Sequence, residues 1–521
     1  MSALGSIGVE DRRGLLLSGL SSTPFVMAAL AAITVFSVYY QQHWGTISDT
    51  SWLITVCERM LGGEKLYVDI FDTNPPFSIW LYMPPVALAK FLGIAPEILV
   101  HAWTYLAALG GLIFAGLIVR RARFAEAPAL FAAAPVVYAM LVVFPGNAFS
   151  QREHIGMALF LPMLTLMAWR MRTEAESQPD LWIGLLAGLC GSVLLLVKPH
   201  YALMILLPVL FTCWRKRSVS PLFAVEHWVI GLICLAYLAA VLINYPAFLN
   251  DVYPLLAEAY LTINLYGPIV QLYGVAGVLL GLALWLYWPT GGAPELAVTA
   301  ALASAAGVVT LVWQAKGWPY HAYPALLCAT VALIDLLCQP AGRAPAGILR
   351  RSVRIIVLIA GVMVSVIPFR LAPKPSDEIV SAIRAEVARP TVISIGIDIA
   401  TAHPLSRMIG GDYRSHHPSL WMVRGAQRLI GAAGTDAVEV RRLEALRDGF
   451  IAQAAGDIER SKPDIIFDGG SKPRPAELAI RVDPSIRCAL EGYRTLYQDD
   501  ALTVLIRSDL ELGTGAPAAD K

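Results

Sequence analysis

Residues 43–76 read HWGTISDTSWLITVCERMLGGEKLYVDIFDTNPP. The segment follows an uncharged run from Gly14 to Gln42 and ends in Pro75-Pro76. It carries Asp49, Asp69 and Asp72 in a chain where only 15% of residues are charged. Charges close to a bilayer are expensive, and those that occur there tend to face an aqueous cavity and carry function. The segment therefore reads as the first aqueous loop of a membrane protein, and the rest of the chain has to be consistent with that.

It is. The chain has 521 residues, 57% of them hydrophobic, and a mean hydropathy of +0.60. A soluble chain would carry roughly 25% charged residues. The class is an α-helical polytopic membrane protein. A net charge of +1 that is not pooled in one patch argues against nucleic acid as a partner. Seven cysteines are scattered without a CxxC pair or metal-ligand spacing. Most lie in apolar runs, where Cys behaves as a small hydrophobe; Cys57 and Cys488 are the pair for which a disulfide stays open. At the N-terminus, Arg12 and Arg13 precede an apolar run that continues past the Ala-rich residues 28–32 to Tyr40. That length favours an uncleaved membrane helix over a signal peptide.

Apolar runs long enough to span lie near 19–41, 97–119, 127–145, 155–169, 181–197, 200–214, 227–245, 267–288, 295–314, 318–338 and 353–371, about eleven spans by length. Lys and Arg in the short connections set the orientation. Arg12 and Arg13 come before the first span. Arg120, Arg121 and Arg123 follow the second, Arg170 and Arg172 the fourth, and Arg215, Lys216 and Arg217 the sixth. Arg343, Arg350, Arg351 and Arg354 lie between the tenth and eleventh. All fall on one side, the cytoplasm. Residues 77–93, with Pro84-Pro85 and Lys90, read as an interfacial or re-entrant helix, because a full span there would reverse Arg120–Arg123.

The expected organisation is a transmembrane domain over 1–372 with its first external loop at 42–96, an extracytoplasmic α/β domain over 373–510, and a disordered tail over 511–521. In the α/β domain, 391–397, 464–469 and 501–507 read as strands. Residues 376–388 and 437–455 read as amphipathic helices.

With this topology the isolated charges on the outer side all stand at the ends of apolar runs. They are Asp49, Asp69 and Asp72; Arg152, Glu153 and His154; Lys198 and His200; and Lys316 and His321, with Trp318 between them. Cations gathered on one face can hold a phosphate while a carboxylate acts as base. Each has a plainer reading. Asp49 can cap the helix SWLITVCERML. Asp69 and Asp72 can be turn residues before Pro75. Arg152 to His154 can be a solvated helix end with an internal ion pair. Lys198 can snorkel to the interface, and Trp318 can sit in an interfacial belt. His43 and His101 read as structural. His403, His416 and His417 lack ligand spacing, so no metal is expected, and no cofactor.

The pattern resembles the C-type (GT-C) polytopic glycosyltransferases, in the branch of protein mannosyltransferases and aminoarabinose transferases. The resemblance covers four places and roughly the first 370 residues in architecture. Asp49 stands where these enzymes put a catalytic Asp after the first membrane helix. LYVDIFDTNPPFSIWLY (66–82) is similar to their acidic Pro-Pro segment, and SQREH (150–154), VKPHY (197–201) and KGWPYHAYP (316–324) are similar to further motifs of the bacterial members. Two features depart from the pattern: Thr50 follows Asp49 where a second acid is expected, and Asp69 and Asp72 are spaced DxxD rather than DxD.

The resemblance implies a hexosyl- or pentosyltransferase of the bacterial inner membrane, N-terminus cytoplasmic and C-terminal domain periplasmic. Its partners would be a polyprenyl-phosphate-sugar donor, a glycan or lipid-linked acceptor, and membrane lipid. Asp49 would be the general base; Asp69, Asp72, Arg152, Glu153, His154, Lys198, His200, Lys316, Trp318 and His321 would bind substrate. The rival is a transporter or flippase for a lipid-linked or anionic precursor. Transporters place such charges at mid-membrane on broken, repeated helices, whereas here they stand at helix ends with no repeat.

Overall fold

A computed structural model describes residues 22–173, 178–261, 267–289, 292–339, 348–370 and 374–510. The expected tail at 511–521, Arg12, Arg13 and Arg343 lie outside them. Among the described residues the chain forms two compact units: one drawn from residues 1–44, 100–239 and 264–373, the other from residues 45–99, 240–263 and 374–521.

Every apolar run of the sequence contains a helix. In order they are Thr23–Trp44, Pro96–Arg121, Ala127–Val142, Arg152–Met171, Leu181–Val197, Leu203–Lys216, Val225–Asn244, Pro268–Tyr287, Glu295–Gln314, Pro319–Leu337 and Ile348–Val366. Among the described residues, eight helices are long and apolar enough to cross a membrane, and Ala127–Val142 and Leu181–Val197 are shorter apolar helices. The chain is a membrane protein.

Arg152–Met171 and Pro319–Leu337 are the most enclosed spans, each with 89% of its apolar window buried, whereas Val225–Asn244 has 17%. These two are therefore the centre of the first unit. Arg152–Met171 packs against Leu181–Val197, Leu203–Lys216, Glu295–Gln314 and Pro319–Leu337. With lipid as the alternative solvent, such contacts rest on close backbone approach and on hydrogen bonds rather than on hydrophobic burial. A Cβ on Gly111 would stand 2.1 Å from the Ala158 carbonyl oxygen, so only glycine lets Pro96–Arg121 cross there. Ser304 Oγ donates to the Ala325 carbonyl at 2.8 Å, and Tyr323 OH to the Met140 carbonyl at 3.1 Å. Ser37 Oγ and Gln41 Nε2 both donate to the Val142 carbonyl, at 2.6 and 2.8 Å.

The second unit holds a five-stranded sheet. Its strands are β1 (Thr391–Ser394), β2 (Asp412–Tyr413), β3 (Ile465–Gly469), β4 (Tyr493–Gln498) and β5 (Leu502–Arg507), in the order β2-β1-β3-β5-β4. β2, β1 and β3 run parallel; β5 pairs antiparallel with β3 and β4. The helices Asp377–Glu386, Trp421–Ala433, Ala437–Ser461 and Pro475–Val482 complete the α/β part.

Residues 45–99 pack with that α/β part. The helix Ser48–Leu61 buries Trp52 against the rings of His403 and Tyr413, at centroid distances of 5.3 and 5.6 Å. The Phe71 N–H donates to the His416 carbonyl at 2.9 Å, and the Phe71 ring meets His417 and Phe450. Arg407 bridges Glu97 (2.5 Å) and Glu58. Burial works against its charge, but the Glu97 and Glu58 carboxylates more than offset that and hold its pKa above the ordinary value. Residues 77–93 form two short helices, Pro76–Trp80 and Met83–Leu92, where the sequence reading has one. Pro84-Pro85 in the first turn of the second helix fits a helix start and not a helix interior. The disulfide left open between Cys57 and Cys488 is not formed: both are free thiols, Cys57 buried and Cys488 exposed.

Candidate functional site

In the first unit, four helix ends meet. Gln151 is the N-cap of Arg152–Met171, and its side chain accepts the Arg152 N–H at 2.7 Å. Glu153 then falls in the first turn, where the unpaired N–H groups favour a carboxylate; it is fully buried. Leu181–Val197 ends at Lys198. Glu295–Gln314 ends with Ala315 in the left-handed region, φ 48, which turns the chain into Lys316. Pro319–Leu337 starts behind Trp318 and carries His321 in its first turn.

Lys198 is the hub. Its Nζ lies 2.6 Å from Glu153 Oε1, 2.5 Å from His321 Nε2 and 3.2 Å from Gln314 Oε1. It also lies 5.7 Å from the centre of the Tyr320 ring, within cation–π range. His321 Nε2 is 3.9 Å from the same Glu153 oxygen. Arg152 acts electrostatically on Glu153; Arg152, Lys198, His200 and Lys316 act on His321. Arg152, Glu153, Lys316 and His321 are all buried. The cluster thus holds Lys198 against the Glu153 carboxylate, with Arg152 and Lys316 buried nearby. Buried cations of this kind can make charge-assisted hydrogen bonds to a bound anion.

His154 does not join the cluster. Its Nδ1 accepts the Ser150 N–H at 3.2 Å and its Nε2 bonds the Leu141 carbonyl at 2.5 Å. With both nitrogens engaged it is a structural residue that fixes the entry to the helix, which corrects its expected place among the substrate ligands. Successive helix residues point about 100° apart, so Glu153 and His154 face different neighbours.

The other sequence-derived candidates lie in the second unit. Asp49 stands in the first turn of Ser48–Leu61, half-buried, but the N-cap is Ile47, with no side-chain cap bond. The cap reading of Asp49 is therefore set aside. Asp72 is buried. Its Oδ2 accepts from Trp52 Nε1 and its Oδ1 from the Asn74 N–H, each at 2.5 Å. Asp69 Oδ2 accepts the Lys65 N–H at 2.8 Å. Both carboxylates shape the loop before Pro75.

His403, His416 and His417 are part of the packing there. His416 Nδ1 bonds the Asp69 carbonyl and His417 Nε2 bonds Gln453 Oε1, both at 2.9 Å. Burial, helped by the Arg407 charge, pushes His403 down to about 3. Burial, helped by His416, does the same to His417. Among the described residues no group of three or more His, Cys, Asp or Glu is placed to hold a metal ion.

This architecture has solved counterparts. The crystal structure of ArnT from Cupriavidus metallidurans bound to undecaprenyl phosphate matches with a TM-score of 0.57 at 12% identity, covering 95% of this chain and 100% of that one. ArnT is an aminoarabinose transferase of GT-C type. The fold is GT-C-like. The apo state of the same ArnT matches with a TM-score of 0.53 at 13% identity, covering 93% of this chain and 98% of that one. No family model matches the chain, and no curated protein matches it by sequence.

Within the GT-C-like fold, the cluster adds two residues that the sequence reading omits, Gln314 and Tyr320. Gln314 had a legible signal: it is a polar residue closing an apolar run, directly before Ala315-Lys316. Tyr320 had none, since an aromatic beside Trp318 reads equally well as an interfacial residue.

Proposed function

We propose that the chain is an integral membrane glycosyltransferase that moves a sugar from a polyprenyl-phosphate donor to a cell-envelope glycan or glycolipid. The observation that carries this reading is the buried cluster around Lys198, where Glu153, Lys198 and His321 meet at converging helix ends with Arg152 and Lys316 buried beside them. The shared fold of ArnT, bound to undecaprenyl phosphate in its crystal structure, supports the choice of anion. In the reaction the bond between the sugar's anomeric carbon and the phosphate oxygen breaks. The acceptor oxygen bonds to that carbon, and its proton passes to a base. Arg152, His200, Lys316 and His321 hold the phosphate, and they and the Lys198 charge beside them stabilise the charge that develops on the leaving polyprenyl phosphate. Asp49 is the base, proposed from its position directly after the first membrane helix.

The proposed setting is the outer face of a bacterial inner membrane, with a cytoplasmic N-terminus and the C-terminal α/β part in the periplasm. The one-sided Arg and Lys clusters support this, and a reporter fused at Lys521 that works only in the cytoplasm contradicts it. The function is tested by deleting the gene and comparing envelope glycans and lipids by mass spectrometry. Loss of one glycosyl unit, with the unmodified acceptor remaining, is the expected result. An unchanged glycan, or an intact precursor stranded on the inner side as a transport defect would leave it, contradicts the proposal.

A further inference from the structure

The hydrogen bonding of His321 decides which of its nitrogens donates. The ring is only 3% exposed. Its Nε2 lies 2.5 Å from Lys198 Nζ. A lysine ammonium donates and cannot accept, so Nε2 is the acceptor and the ring proton sits on Nδ1. Glu153, 2.6 Å from the same Nζ, keeps Lys198 charged and in place, and Gln314 takes another of its protons at 3.2 Å. The resulting Nδ1–H is buried and bonds no group among the described residues. A buried donor left unmade is expensive, and a native structure that keeps one calls for an explanation, such as a role in its function. The Lys198 ammonium lies 2.5 Å from this ring, and a cation beside the donor favours an anionic acceptor.

We propose that Glu153, Lys198 and His321 form a positioning chain that holds His321 as an Nδ1–H donor, and that the acceptor is a phosphate oxygen of the polyprenyl-phosphate donor. This rests on the glycosyltransferase reading. It changes the part played by Glu153. A carboxylate offers only acceptor atoms and would repel a phosphate; Glu153 serves instead by fixing Lys198, which fixes the tautomer of His321. The opposite tautomer would turn a lone pair toward the phosphate oxygen and cost binding.

Asparagine and glutamine separate the two nitrogens. The Asn amide stands near the position of Nδ1, and the Gln amide near that of Nε2. The probe is undecaprenyl phosphate, titrated into the full chain in lipid nanodiscs. His321→Asn is expected to bind within a few-fold of wild type. His321→Gln is expected to bind roughly ten- to a hundredfold more weakly, as for a lost hydrogen bond to a charged group. Equal affinities for the two variants, or the reverse order, overturn the inference.

A second measurement reads the ring in the wild-type protein. In wild-type protein labelled with 15N-histidine, one protonated-Nδ1 resonance, identified by its loss in His321→Gln, is expected to move when undecaprenyl phosphate is added. In Glu153→Ala the same resonance is expected to split or broaden as both tautomers populate. A protonated Nε2 on His321, or an Nδ1 signal that ignores the lipid, overturns the inference; an unchanged signal in Glu153→Ala removes Glu153 from the chain. Folded wild type that binds no undecaprenyl phosphate defeats the glycosyltransferase reading and this inference with it. Wild-type binding with indifferent Asn and Gln variants defeats this inference alone.

Discussion

Replacing Lys198 by Met tests whether the central ion pair is a buried one in the energetic sense. Glu153 has no exposed side-chain surface, and Lys198 has 18%. Removing one partner of a buried pair costs about 3–5 kcal/mol, because the remaining charge is stranded. Arg152 still acts on Glu153, which places the expected loss at the lower end, about 3 kcal/mol. Lys198→Met combined with Glu153→Gln removes both charges and keeps the volumes. It should regain about 2 kcal/mol over the single variant, a coupling typical of residues in direct contact. SDS titration of the purified protein in mixed micelles reads both numbers. Donor binding should separate from stability: the double variant regains stability but not affinity for undecaprenyl phosphate, because the phosphate has lost its cation. A Lys198→Met protein as stable as wild type, or a double variant no better than the single, refutes the reasoning.

Asp49→Asn should lower turnover by about 10²–10⁴-fold, the usual contribution of a general base. Its folding should stay normal, since the N-cap of that helix is Ile47 and makes no side-chain cap bond; normal transfer by this variant would exclude Asp49 as base. Arg152→Lys should restore only part of the donor affinity lost in Arg152→Ala, because Lys cannot bind a phosphate bidentately; full recovery in a binding titration would remove the guanidinium from the argument. His403 and His417 stay neutral in the fold down to about pH 3, whereas in the unfolded chain they take up protons near 6.5. Stability of the second unit is therefore highest above pH 6.5 and falls as pH drops from there toward 3, by about 2 kcal/mol per histidine at pH 5. Hydrogen exchange across 374–510, corrected for intrinsic rates, should show that loss between pH 7 and pH 5, and equal protection at both would contradict it.

The helical part was legible because a bilayer leaves little freedom: a run of about 20 apolar residues has to be a helix. Each of the eleven runs contains one. The short strands were less legible. β1, β3 and β5 are β-branched and apolar, and the sequence marks them. β2 is only Asp412–Tyr413 and β4 reads YRTLYQ, so neither shows the buried alternation that identifies a strand. In the site, Glu153 and Lys198 each stood out as charges in an apolar chain. Their pairing did not, because it depends on how two helix ends meet in space. Charge alone also grouped His154 with its two neighbours, although its ring turns to Ser150 and Leu141. Charge also put Asp72 among the substrate ligands, and its two oxygens accept from Trp52 Nε1 on the preceding helix and from the Asn74 N–H.

The most direct test of the account is a single turnover by the purified chain in nanodiscs, loaded with a polyprenyl-phosphate sugar and an envelope glycolipid extract. Mass spectrometry then follows both lipids with time. The account predicts that free polyprenyl phosphate appears together with an acceptor heavier by one glycosyl unit, and that Lys198→Met forms neither. Donor that stays intact beside folded wild-type protein, or equal turnover by Lys198→Met, would contradict it.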